Sequence, residues 1–414
     1  MARTATAAKA GPKITARACV AGGGPAGMML GFLLARAGLD VVVLEKHADF
    51  LRDFRGDTVH PSTMQVMHEL GLLDEFLKLP HQALDRLSGQ LGEVVIHAAD
   101  FRNLKTAAPF IALMPQWDFL NFLADKAKAF PEFRLMMRAE AVDLIRDGER
   151  VTGVKVRTPD GEIEIAAEVI IGADGRHSTI RECAGLKVID VGAPMDVLWL
   201  RLPRHEGDEE MPLGRIVSGR IFVMIPRGDY FQCGYVVEKG GADKVKAAGL
   251  PALRTSIEHI APMMKDRTGA LKGWDDVHLL TVAIDRLERW SAPGVLCIGD
   301  AAHAMSPIGG VGINLAVQDA VATANILSGP LRAGRLTQGD LAAVQRRRAW
   351  PTRMIQAIQV FIQNHVVAPT LKGATLRPPW PAKLLDRYAW LQSIPARVIG
   401  VGVRYERVRT PNVH

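Results

Sequence analysis

Two apolar runs frame the start of the chain: residues 14–20, and Val41-Val42-Val43-Leu44, which ends in the acid Glu45. Short apolar runs bounded by glycine read as strands buried on both faces. Between them residues 28–37 are apolar nearly throughout and predict a buried helix. The junction is Gly22-Gly23-Gly24-Pro25-Ala26-Gly27. Strand, glycine turn, helix and strand in this order predict a unit of the kind that wraps a dinucleotide.

The residues of the turn have separable tasks. Gly22 permits the tight bend, Gly24 lets the backbone approach a pyrophosphate, and Gly27 lets the helix pack closely on the strand. A diphosphate would then sit at the helix start, beside Pro25 and Ala26, where free N–H groups and the helix dipole favour negative charge. Glu45, eighteen residues past Gly27 and followed by Lys46, is placed to accept hydrogen bonds from a ribose. A glycine turn by itself can be merely a turn. The flanking strands, helix and acid favour the dinucleotide.

Further along, Ser62-Thr63-Met64-Gln65 opens an amphipathic helix with apolar Val66, Met67 and Leu70 and a stop at Gly71. Arg55, ten residues past Glu45, either folds back onto the same phosphates or is a solvated loop arginine. Residues 84–98 read as strands. Pro115-Gln116-Trp117-Asp118 leads into a helix through Phe119, Leu120, Phe122 and Leu123, with Asp118 as its cap and Gln116 as a polar group able to reach a ligand. Asp147-Gly148 and Asp160-Gly161 then punctuate three strands over 141–145, 151–157 and 162–171. The last delivers Asp174-Gly175, after which Ser178 starts a helix carrying Arg181. This is either a second nucleotide contact at a strand end or an ordinary strand-to-helix turn.

Residues 194–238 are β-rich, with strands over 197–202, 215–217, 220–226 and 230–237 that suggest an antiparallel sheet with one face free to cover a ligand. Alternation puts Val197, Trp199 and Arg201 on one side and Leu198 and Leu200 on the other. A helix over 252–264 and a strand over 279–284 follow. A buried strand then ends in Gly299-Asp300, and a loop through Pro307, Gly309, Gly310 and Gly312 feeds a helix over 315–327. Asp300 can hold sugar hydroxyls, and the backbone of 309–312 can lie against a flat ring or an anion. Beyond Leu336 the chain reads as mostly helical and basic, including Arg346-Arg347-Arg348, with a proline-rich break over 377–381.

Composition narrows this picture. A chain of 414 residues with 48% hydrophobic residues and 39 glycines suggests two closely joined α/β domains. A net charge of +7 and a pI near 9.3 favour anionic ligands in general, but the charges are interspersed and point away from nucleic acid. Cys19, Cys183, Cys233 and Cys297 form no CxxC pair, which predicts free thiols in a reducing, cytoplasmic compartment and no metal site. The first seventeen residues are basic and lack an acid, as in a transit peptide or a disordered tail. No apolar window is long enough for a transmembrane span. Trp380, Leu384, Tyr388, Trp390 and Leu391, beside Arg387 and Arg397, leave a membrane-surface contact as the weaker alternative to capping the core.

In order and spacing, Gly22-x-Gly24-x-x-Gly27 with Glu45, Asp174-Gly175 with Arg181, and Gly299-Asp300 with Pro307-x-Gly309-Gly310-x-Gly312-x-Asn314 resemble the single-component FAD-dependent aromatic hydroxylases typified by para-hydroxybenzoate hydroxylase. The resemblance covers roughly residues 15–330. It implies an α/β fold: a glutathione-reductase-type Rossmann FAD-binding domain over 17–83, 110–190 and 280–335, and an inserted antiparallel β-sheet substrate domain over 84–109 and 191–279. A flexible tail over 1–16 and a helical region over 336–414 complete it.

The same resemblance implies that Gly22, Gly24 and Gly27 hold the FAD diphosphate, Glu45 the adenosine ribose, and Arg55 and Gln116 the phosphate and ribityl portions. Asp174-Gly175 would serve both FAD and NAD(P)H, Asp300 the ribityl chain, and Pro307, Gly309, Gly310, Gly312, Ile313 and Asn314 the isoalloxazine ring. NAD(P)H would be a transient co-substrate, since no second GxGxxG is present. Reduced flavin would react with O2 to a C4a-hydroperoxide and hydroxylate a small aromatic or polyketide-like molecule. The β-rich segment offers Trp199, Arg201, Arg220, Met224 and Tyr235 as substrate contacts without matching a member of known specificity. His60, Tyr235 or His303 could deprotonate a phenol, but each has a structural reading, and the catalytic residue is unassigned. Phe222-Val223-Met224-Ile225-Pro226 lacks the tryptophans of the halogenase motif WxWxIP. Alternatives are a prenylated or quinone-type substrate, alkene epoxidation, or a flavin carrier without turnover, in a monomer or homodimer.

Overall fold

The computed structural model describes residues 13–51, 58–208, 213–217, 219–373, 384–385 and 387–414. Its first layer is built around β1 (Lys13–Ala21), α1 (Pro25–Arg36) and β2 (Val41–Glu45). Four of the five β2 residues are buried because the strand is covered on both faces, as its unbroken apolar run requires. All of Ala26 to Ala35 in α1 are buried as well. The amphipathic α2 (Pro61–Glu69) follows, and then α3 (Gln116–Ala127), which leads into β3 (Phe133–Met137).

Strand β4 (Gly161–Gly172) is a splice. Its first half pairs antiparallel with residues 153–158 of the expected meander, and its second half runs parallel to β1, with Val20 opposite Ile171. Gly172 at its end aligns with Ala21 on one side and Cys297 on the other. The strand therefore brings the turn after residue 172 to the edge where the glycine turn lies. A short helix α4 (Thr179–Cys183) completes that turn.

A second sheet contains the antiparallel strands β5 (Met195–Pro203), β6 (Arg220–Arg227) and β7 (Tyr230–Glu238), extended on one side by residues 214–217, 86–91 and 94–100, of which 214–217 and 86–91 pair parallel, and on the other by 278–280. The alternation expected along β5 is realised. Leu198, Leu200 and Leu202 pack with Leu253, Ile257 and Ile260 of the helix beneath. Val197 and Trp199 face the other way, toward Val282, Ile308 and Val367. Gly234 lies opposite Trp199 in β7, and a Cβ there would meet the indole at 3.3 Å, so the glycine makes room for the ring.

The chain returns to the first sheet with β8 (Val295–Cys297), then α5 (Gly312–Arg332) and α6 (Gln338–Ile362), the last continuing into a π-turn over Gln363–Val367. After α7 (Ser393–Gly400) the remaining residues run extended across α5 and α1, where Arg36 Nη1 donates to the Thr410 carbonyl at 3.0 Å.

Several expectations need correction. β1 begins at Lys13, so the tail expected over 1–16 yields its last four residues to the sheet, and residues 1–12 lie outside the described ones. The strand expected over 279–284 is only 278–280, because Val282 turns its N–H to the Asp196 carboxylate at 3.0 Å. Asp118 sits inside the first turn of α3 rather than capping it; Pro115 occupies the cap position. The helical reading of the C-terminal region stops at Gly400. The proline-rich break and Trp380 lie outside the described residues. All four cysteines are free thiols, and Cys19, Cys233 and Cys297 are buried. No helix among the described residues is long and apolar enough to cross a membrane.

Gly31 sets how near α1 lies to the sheet: a Cβ there would stand 2.5 Å from Val43 Cγ2 and 2.9 Å from the Phe133 ring. Gly31→Val should destabilise the protein by about 1–3 kcal/mol through overpacking, despite glycine's poor helix propensity. A urea midpoint equal to that of the wild type would contradict this packing.

Candidate functional site

The glycine turn has the shape of a diphosphate cradle. Gly22 holds a φ of 109°, and a Cβ there would strike the Ala173 carbonyl oxygen at 2.3 Å. A Cβ on Gly27 would lie 1.9 Å from the Gly22 carbonyl oxygen, while Gly24 has no atom within 4 Å of that position. Two glycines are thus demanded by protein contacts, and the third faces open space. The helix α1 behind them has no side-chain cap and no acid in its first turn, which leaves its electropositive end for an anion.

Glu45 accepts from Gly23 N at 3.2 Å and His47 N at 3.0 Å, so its carboxylate is held beside the turn. Lys46 next to it is exposed. Gln116 opens α3, whose following strand β3 runs parallel to β2, so that helix start lies at the same sheet edge as the turn. Arg55 lies outside the described residues.

Around Asp174 the ordinary-turn reading accounts for the carboxylate. It is half-buried, accepts from Ser178 Oγ at 2.5 Å and from Ile180 N at 3.1 Å, and is pushed up from the usual carboxylate range by loss of water around it. Gly175 beside it has a φ of 84° and open space around its Cα. Two arginines stitch this turn to the next motif. Arg176 Nε reaches Asp300 Oδ2 at 3.3 Å, while Arg181 Nη2 donates to the Arg176 carbonyl at 2.6 Å and its Nη1 to the Ala301 carbonyl at 3.4 Å. The Asp300 carboxylate is half-buried beside the Arg176 guanidinium.

The loop from Gly299 to Asn314 is fixed from behind. Gly299 N and His303 Nε2 both meet Asp319 Oδ2, at 3.1 and 2.6 Å, and Arg348 Nε meets Asp319 Oδ1 at 2.8 Å. Burial raises the Asp319 pKa, but His303 and Arg348 outweigh it and hold the carboxyl below its ordinary range. Arg348 lies 3.6 Å from Glu406, which Arg347 Nε also meets at 2.5 Å. Thr58 Oγ1 donates to the Gly310 carbonyl at 2.7 Å; Gly309 and Gly310 have φ values of 79° and 62°, conformations suited to glycine. Pro307 precedes that turn. Gly312 and Ile313 open α5, which has no side-chain cap, so a second helix start faces the same region.

Asn314, expected beside the ring, instead turns its carboxamide inward. Its Oδ1 accepts from His60 N at 3.1 Å and Thr63 Oγ1 at 2.6 Å, tying α2 to α5. Its Nδ2 and Gln318 Nε2 have no partner among the described residues, and both residues line a cavity of about 20 Å³, the size of one water.

The structure divides the expected substrate residues. Trp199 lies on the sheet face toward Ile308, with its Nε1 buried and unpaired among the described residues. Arg201 is farther along that face, exposed and stacked 5.0 Å over Tyr230. Met224 and Tyr235 lie on the opposite face, where the Tyr235 hydroxyl bonds Ser256 Oγ at 2.8 Å. Arg220 shares that side by alternation with Phe222 and Met224. A contact from this face to a ligand beside Ile308 would have to cross the sheet.

Among the proposed bases, His303 is committed to Asp319. His60 is buried with Nδ1 bonded to the Ile399 carbonyl at 2.8 Å, and burial pushes its pKa down to about 4, against the smaller opposing effect of that bond. Among the described residues no His, Cys, Asp and Glu cluster could hold a metal. Sequence reasoning missed Thr58, Arg176, Asp319 and Arg348. The detectable signals were Arg176 directly after Asp174-Gly175, and Asp319 as the one acid in the mostly apolar α5.

An uncapped helix behind a glycine turn, an acid at the end of β2 and a Gly-Asp loop after β8 define an FAD-binding fold. The FAD binding domain family matches residues 15–357, and the chain belongs to that family of FAD-dependent aromatic monooxygenases. It is 30% identical to 6-methylpretetramide 4-monooxygenase of Streptomyces rimosus over 396 residues, covering 95% of this chain and 94% of that enzyme. It is 29% identical to a rifampicin monooxygenase of Streptomyces venezuelae, covering 73% of this chain and 61% of that longer protein. Among solved structures, PqsL of P. aeruginosa in complex with 2-aminobenzoylacetate superposes with a TM-score of 0.75 at 22% identity, over 90% of this chain and 100% of that one. The OxyS anhydrotetracycline hydroxylase of Streptomyces rimosus gives 0.72 at 23% identity, over 94% and 76%.

Because His60 stays neutral in the fold while an unfolded histidine takes up a proton below pH 6.5, acid favours unfolding. Stability should fall as pH drops from about 6.5 to 4, by up to about 3 kcal/mol from this group. Urea midpoints across that range should show His60→Asn losing part of the slope; parallel curves for the two proteins would contradict the assignment.

Proposed function

We propose that the chain is a cytoplasmic NAD(P)H-dependent monooxygenase that uses FAD and O2 to hydroxylate an aromatic, polyketide-like small molecule. The observation that carries this reading is the apolar sheet face bearing Val197, Trp199 and Val236, packed toward Ile308 of the glycine loop that follows Asp300. A flat ring held against that loop would have an apolar wall opposite it. The relative from Streptomyces rimosus, named for a 4-monooxygenation of 6-methylpretetramide, supports a polycyclic phenol as the substrate class.

FAD, reduced by NAD(P)H, would supply the electrons that activate O2, one atom of which enters the product while the other leaves as water. The chain's own residues bind, orient and exclude water. Gly22, Gly24 and Gly27 admit the diphosphate against α1, with Pro25 and Ala26 in its first turn, and Glu45 with Lys46 beside it receives the adenosine ribose. Gln116, Gly175 and Asp300 serve the ribityl side, with Gly299 shaping the turn that presents Asp300. Pro307, Gly309, Gly310, Gly312 and Ile313 form the ring-flanking backbone. Trp199 Nε1 is a buried donor awaiting an acceptor, and a substrate carbonyl or phenolic oxygen would satisfy it. His60 and His303 are structural, and no side chain is assigned as base.

The purified protein should be yellow, and a panel of polycyclic phenols should accelerate its NAD(P)H consumption with hydroxylated product formed. Flavin that no nicotinamide reduces would overturn the reading. Asp300→Ala should retain less than about a tenth of the bound FAD, since it removes the ribityl acceptor; full flavin content would refute that role. Trp199→Phe keeps the ring shape and removes the N–H, and should raise KM about tenfold with flavin content unchanged. An unaltered KM would remove Trp199 from recognition.

A further inference from the structure

Helix α6 carries glutamines along the side that faces the segment running from Asp285 to Ile308, and each carboxamide is spent on that segment. Gln338 Nε2 donates to Ser291 Oγ at 3.0 Å. Gln345 accepts from Trp290 N at 3.1 Å and donates to the Glu288 carbonyl at 2.9 Å. Gln356 Nε2 donates to the Asp285 carbonyl at 2.7 Å and the Ala304 carbonyl at 3.0 Å. Gln359 makes three contacts: it accepts from Ser306 N at 3.1 Å and donates to the carbonyls of Ser306 and Ile308 at 3.0 and 2.9 Å. Gln363, in the π-turn, donates to Ser306 Oγ at 2.9 Å. The last three side chains are at most 3% exposed.

A loop without regular pairing leaves backbone N–H and C=O groups that must be satisfied when buried. A carboxamide, with two donors and an acceptor at one end of an apolar stem, can replace a neighbouring strand there. The stretch so replaced, 304–308, leads directly into Gly309 and Gly310. The same helix also touches the opposite wall. Its π-turn carries Val367 into the cluster of Val197, Trp199 and Ile308, and such turns are frequent at functional sites.

We propose that Gln359, supported by Gln356 and Gln363, is a positioning residue: it fixes the height of the loop entering Pro307–Gly312 and so the distance between the ring-flanking backbone and the Trp199 face. This rests on the proposed role of that loop beside the flavin ring. A wrong distance would let NAD(P)H electrons reduce O2 to H2O2, instead of one oxygen atom entering the product and the other leaving as water.

The test uses Gln359→Met, which keeps the stem length and removes all three hydrogen bonds. In the flavin-free protein, amide exchange of residues 304–310 should quicken at least tenfold while residues 20–30 stay as in the wild type. In the flavin-loaded protein, product per NAD(P)H should fall at least threefold, with H2O2 rising to match and flavin content unchanged. Wild-type exchange and coupling in Gln359→Met would overturn the proposal. Should that variant fail to fold, Gln363→Met, which removes only the bond to Ser306 Oγ, should quicken exchange of the same amides by about threefold. Wild-type exchange in that variant would overturn the proposal. The exchange arm needs no turnover, so it separates a failure of the positioning role from a failure of the proposed activity.

Discussion

One fully buried carboxylate, Asp319, holds the Gly299 loop, α5 and α6 together. It lies in the middle of α5, yet its oxygens face Gly299 N, His303 Nε2 and Arg348 Nε. Removing a partner from a buried ion pair leaves an uncompensated charge, so such a hub tolerates little rearrangement. It therefore fixes the Gly-Asp loop relative to α5, and through Arg348 and Glu406 it fixes the chain end relative to both. The placement of the Gly-Asp loop follows from this cluster.

The second sheet obeys a simpler rule. Period-two alternation along β5 commits one face to the helix beneath and the other to the glycine loop. That commitment is why Trp199 and Tyr235, close in the sheet, have different prospects. The indole N–H is left over on the inner face, whereas the phenol hydroxyl already has Ser256. Neighbours in sequence pattern are thus separated by the thickness of a sheet.

Much of this was legible in the chain itself. The glycine turn, the Asp-Gly hairpins and the run into Gly299-Asp300 each combine a local backbone demand with an apolar strand, and local demands survive in sequence. Which face of β5 looks inward was not legible, because alternation gives two sides without naming them. Nor was the inward turn of Asn314, whose partners His60 and Thr63 are some 250 residues away. The glutamines of α6 were invisible for a related reason. A polar residue on a long helix reads as a solvated face until the loop it serves is placed against it.

The order in which these contacts form differs from the order in which they are written. The glycine turn is made within the first thirty residues, but Gly299 N needs Asp319, Asp319 needs Arg348, and Arg348 donates to the Arg404 carbonyl and leans on Glu406. During synthesis the N-terminal strands emerge long before these partners exist. A nascent chain that has not yet emerged through Glu406 would present the glycine turn while the partners that hold the Gly-Asp loop through Asp319 and Arg348 are still incomplete.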